Sequence, residues 1–170
     1  MFRSIIIFVF FLNSAATAVY SSPKGYVHPF VATATRYVGM TETTHRSLLK
    51  EFMGIDPIEI PWCAGFINSI LIENGYWGTE IVSKVPLTAR SFLDWGEVVE
   101  PLNLQEGDII VFPRVNGEPW EGHVGIYINM RKRDEQEFLV IISGNDNNEV
   151  KISERPLSSA IGFRRLTILD

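Results

Sequence analysis

The sequence predicts an α+β fold in which N-terminal helices pack on a mostly antiparallel β-sheet. Two observations carry this. In the first half apolar residues recur at helical spacing, and the second half breaks into short apolar runs bounded by turn residues. Helices gathered before strands, rather than alternating with them, argue against a parallel sheet and for helices covering one face of an antiparallel one.

Taken in order, residues 28–38 and 44–52 read as helices, the second stopped by Gly54 and the Asp56-Pro57 turn. Pro61 suits the first position of a third helix, and Asn74-Gly75 supplies its stop. Within that helix Cys63, Phe66, Ile67, Ile70 and Leu71 fall on one buried face. A short helix over 88–95 leads into five strands, at 108–112, 123–128, 138–143, 149–152 and 162–166. The basic run Arg131-Lys132-Arg133, followed at once by Asp134 and Glu135, reads as a solvated hairpin tip.

Residues 1–18 stand apart. Arg3 precedes an apolar run from Ile5 to Leu12, and small residues end at Ala16-Thr17-Ala18. This is the layout of a secretory signal, with a cleavage site before Val19, and the run is far short of the ~20 residues a membrane span needs. The expectation is a secreted or periplasmic protein with no integral membrane segment after cleavage. An uncleaved anchor is the alternative. Residues 19–170 then form a single catalytic domain, expected to be a monomer. At 46% hydrophobic residues it has the composition of a globular protein. A formal charge of -5 without a Lys/Arg cluster argues against nucleic acid and anionic membranes as partners.

The chain has one cysteine, Cys63, so it has no intramolecular disulfide. Its place on an apolar helical stripe is what an inert core cysteine would show. Its place in the first helical turn favours chemistry, because free backbone N–H groups and the helix dipole stabilise a thiolate there. Of three histidines, His123 alone sits in a glycine-flanked strand, WEGHVGIYI. Strand alternation puts Val124, Ile126 and Ile128 on one face and His123, Gly125 and Tyr127 on the other. A lone strand histidine is more often structural, but here it accompanies a candidate thiol. One cysteine and scattered histidines do not give the spacing of a metal site, and no cofactor is implied. A Cys–His pair also needs a group to fix the imidazole. The elbow SGNDNN offers Asn145, with Asp146 as the alternative, although these are also ordinary turn residues.

The ordered segments PWCAGFINSILIENGYWGT, TARSFLDWGEVV, EGDIIVF, WEGHVGIYI, SGNDNN and IGFRRL resemble those of CHAP-type proteins. These are cysteine, histidine-dependent amidohydrolases/peptidases of the NlpC-like, papain-like superfamily. The resemblance covers roughly residues 29–166. It implies a papain-like α+β fold and hydrolysis of amide bonds in peptidoglycan or muropeptides, with Cys63 as nucleophile, His123 as base and Asn145 as the polar third member. Trp62, Trp95 and Trp120 are candidates to line the substrate groove, since broad rings give apolar contact to sugar or peptide. Two other classes stay open. One is a non-catalytic wall-binding or interaction module of the same fold. The other is a thiol acyltransferase or protein peptidase.

Overall fold

The structure, a computed structural model, describes residues 27–114 and 117–167. The expected leader segment and its cleavage point lie outside the described residues. The helices are α1 (Pro29–Thr35), α2 (Arg46–Met53) and α3 (Cys63–Glu73). The strands are β1 (Glu97–Val98), β2 (Ile109–Pro113), β3 (Gly122–Arg133), β4 (Gln136–Ser143), β5 (Lys151–Pro156) and β6 (Gly162–Arg165). They form one antiparallel sheet in the order β1-β6-β2-β3-β4-β5. This is the α+β class that the sequence predicts. Among the described residues no helix is long and apolar enough to cross a membrane.

Local chemistry explains the boundaries. Pro29 opens α1, and the His28 ring accepts the Phe30 N–H at 3.3 Å. Helix α2 stops at Gly54, whose φ of +68° is a left-handed cap that glycine adopts without steric cost. Helix α3 begins at Cys63 rather than at Pro61, with Trp62 as its cap. Eight of its eleven residues are buried, which makes it the central helix, walled on several sides. Segment 88–95 is a 3-10 helix over Ala89–Asp94. The β3–β4 hairpin turns on Asp134 and Glu135, both at positive φ, and its basic tip is exposed as expected. Strand β1 was not legible as a strand. It is two residues long and exists through its pairing with Arg164 and Arg165.

The alternation of the sheet divides the core. Val124 and Ile126 of β3, with Ile109, Val111 and Ile142, pack against α1 and α3. Tyr127, with Ile110, Phe112, Leu139 and Ile141, builds a second cluster with Leu157, Ala160 and Phe163. The end of β4 presses close to α3. A Cβ placed on Gly144 would lie 2.6 Å from the Trp62 ring and 2.7 Å from Phe66 Cβ, inside normal contact. The closeness of β4 and α3 brings the elbow after β4 to the start of the helix that carries Cys63.

Candidate active site

Cys63 is the first residue of α3 and is 7% exposed. Its thiol lies against the backbone N–H of Val124, the residue after His123, and near the N–H groups of Cys63 and Ala64. Burial pushes the thiol above its ordinary value, while those N–H groups and Arg114 pull it back. The expected low-pKa thiol is thus corrected: loss of solvent outweighs the helix start.

His123 begins the inward part of β3, opposite Phe112 of β2. Its Nε2 is hydrogen-bonded to the Ser143 hydroxyl at 3.0 Å, which leaves Nδ1 as the nitrogen not so engaged. Burial, then the nearby Arg155 cation, hold the ring down to about 4, against the opposing charge of Asp146. Asp146 in turn accepts from Ser153 Oγ at 2.6 Å and from Arg155 at 3.3 Å. The Arg155 Nε is buried without an acceptor, and its guanidinium sits over the Phe112 ring at 5.5 Å. Among the described residues no hydrogen bond joins Cys63 to His123.

The remaining candidates separate. Asn145 occupies the elbow at a φ of +56°, a conformation that asparagine tolerates, and none of its side-chain atoms bonds His123 among the described hydrogen bonds. Asp146 lies within electrostatic range of the ring. Trp62 is fully buried with its indole N–H on Glu42 at 3.0 Å, and Trp95 is buried with its N–H on the Trp77 carbonyl at 3.1 Å. Both are core rings, because their polar edges are satisfied inside the protein and their faces are covered. Trp120 alone of the three lines a cavity of about 480 Å³ that opens beside Cys63. Among the described residues no group of three or more His, Cys, Asp or Glu side chains is placed to hold a metal ion.

No protein-family model matches the chain, and no curated protein matches it. Among solved structures it is similar to an NlpC/P60 family protein from Bacillus cereus ATCC 10987, at 18% sequence identity and a TM-score of 0.48. The likeness covers 81% of this chain and 39% of that one, so this chain spans about two fifths of that protein's length.

Sequence reasoning missed Ser143. The signal was present in the strand alternation of β4, which puts Ser143 in step with Ile141 on the Tyr127 side of the sheet.

Proposed function

We propose that this chain is an exported cysteine amidohydrolase that cuts amide bonds in peptidoglycan, as an amidase or endopeptidase, with Cys63 as nucleophile and His123 as base. The observation that carries the reading is the setting of Cys63. It is a lone thiol at a helix start, ringed by backbone N–H groups, next to the strand position that follows His123, and open to a cavity. The motif resemblance supplies the wall substrate.

The resting pair in this reading is a neutral thiol and a neutral imidazole. When substrate arrives the ring takes the thiol proton through its free nitrogen, while the Ser143 hydroxyl holds Nε2 and so orients the ring. The thiolate attacks the carbonyl, and the N–H groups of Cys63, Ala64 and Val124 are donors placed to meet developing negative charge. The imidazolium then protonates the leaving amine, and water releases the thioester. In this role Ser143 stands where Asn145 was expected, with Asp146 and Arg155 setting the charge around the ring.

One observation favours a second reading, a non-catalytic module of the same fold: burial keeps thiol and ring neutral and no hydrogen bond joins them. Digestion of defined peptidoglycan by wild type, Cys63→Ala and His123→Ala, with the products weighed by mass spectrometry, decides between them. New muropeptide masses are expected from the wild type alone. Equal product from Cys63→Ala, or none from any of the three, sinks the hydrolase. N-terminal sequencing of the exported protein, expected to begin near Val19, tests the leader separately.

A further inference from the structure

The cavity beside Cys63 carries the opposite charge to the rest of the molecule. The chain as a whole has a formal charge of -5. The charged residues on the cavity wall are two cations, Lys84 and Arg114, and one carboxylate, Glu121. Arg114 and Glu121 form an ion pair at 3.6 Å, and the Glu121 carboxylate also accepts the Glu118 N–H at 3.1 Å. Among the described residues no carboxylate pairs with Lys84. The positive charge left unmatched at the cavity therefore belongs to Lys84.

That charge is carried on ordered backbone. The Ser83 hydroxyl accepts the Val85 N–H at 3.1 Å, and the Thr88 hydroxyl donates to the Val85 carbonyl at 2.9 Å. The next carbonyl, of Pro86, accepts from Asn68 at 2.9 Å, which ties the stretch to the helix that bears Cys63. Ile60, Val85, Leu87 and Trp120 give the cavity apolar walls. Walls that exclude water strengthen an ion pair formed between them, relative to one in open solvent. The lining runs from Cys63 to Gly122, the residue before His123. Whatever fills the cavity thus lies beside the scissile amide, on whichever side of it.

We infer that Lys84 binds a free carboxylate of the peptidoglycan stem peptide near the amide that is cut, and so selects acidic stem peptides over those whose carboxylates are carried as carboxamides. This deepens the proposed function and rests on it. An ammonium is a compact point charge on a flexible stem, so it can follow a carboxylate without demanding one orientation of the peptide. Lys84 takes no part in the proton transfers between Cys63 and His123. Its contact is made in bound substrate and transition state alike, so it acts on KM rather than kcat.

The test uses the processed chain and two probes: a cross-linked muropeptide dimer with its carboxylates free, and the same dimer with them converted to carboxamides. The wild type is expected to cut the acidic dimer with a kcat/KM at least about tenfold higher, the worth of one hydrogen bond to a charged group. Lys84→Gln should bring that ratio within about threefold, with the loss falling on KM, and Lys84→Glu should invert it. Both variants should melt with the wild type, because the side chain is exposed. Equal or faster cleavage of the carboxamide dimer by the wild type, or a preference that survives Lys84→Glu, overturns the inference. If neither dimer is cut, the hydrolase reading is what has failed. Calorimetric titration of Cys63→Ala with both dimers then decides Lys84 alone. Tighter binding of the acidic dimer, lost when Lys84→Glu is added, upholds the contact. Equal binding, no binding, or a preference untouched by Lys84→Glu refutes it.

Discussion

At the scale of the residue, the informative pair is Ser143 and Asn145. Ser143 is fully buried and bonded to the His123 ring, while Asn145 is a turn residue two steps on. In the proposed mechanism the ring presents one nitrogen to the thiol, and removing the Ser143 hydroxyl frees that ring. A neutral hydrogen bond is worth ~1 kcal/mol net, so Ser143→Ala is expected to lower kcat about five- to tenfold with KM unchanged. Asn145→Ala should leave kcat within about twofold. Steady-state kinetics on the two variants check this, and a greater loss from Asn145→Ala would return the role to the residue read from sequence. Cys63 and His123 stand out in the sequence because each sits in a local pattern, a helix start and a glycine-flanked strand. Ser143 was not, because its partner depends on the β3–β4 register that pairs Ile126 with Ile142. Nor did composition distinguish Trp120, out on the cavity wall, from Trp62 and Trp95, whose indoles are bonded inside the core.

At the scale of the element, the wall of the cavity is held by a buried polar knot. Asn68 of α3 donates to Thr79 Oγ1 at 3.2 Å and the Pro86 carbonyl at 2.9 Å, and accepts the Thr79 N–H at 2.9 Å. Ser91 donates to the Thr88 carbonyl at 2.7 Å, and its hydroxyl lies 2.9 Å from that of Thr79. All three side chains are buried, so the irregular stretch that bears Val85 and Leu87 is tied to the Cys63 helix by satisfied hydrogen bonds. Asn68→Ala leaves the Thr79 N–H without its acceptor, which costs ~1–3 kcal/mol. The urea midpoint should fall accordingly. Proteolysis of the native state should first nick this stretch, as expected when the segment loosens before the helix does. Unchanged cleavage sites with a lowered midpoint would place the damage in the core. The helices and main strands were legible from periodicity, whereas this stretch was not. Its order comes from one helix asparagine reaching across to a segment with no pattern of its own.

At the scale of the whole molecule, the histidines make the fold sensitive to mild acid. His123 is held down from 6.5 to about 4 by burial and Arg155, and His28 is lowered by burial against the opposing Glu106 and Asp108. A folded state that resists protonation loses ground to an unfolded one that accepts it, so stability is full above pH 6.5 and declines as pH falls toward 4. Asp56 behaves in the opposite sense. Its hydrogen bond with Arg46, joined by Lys50 and the Ile58 N–H, holds the carboxyl well below the usual range. Its contribution is present above pH 3.8 and is lost only as pH falls further. Acid should therefore weaken the protein in two stages, histidines first and carboxylates second. Urea unfolding at intervals from pH 7 to pH 3 would show the first decline, and His123→Gln, which cannot take up that proton, should flatten much of it while leaving the second intact. A variant whose midpoint follows the wild type from pH 6.5 to 4 would mean that the fold does not resist protonation of His123, and that burial and Arg155 do not hold the ring below its unfolded value.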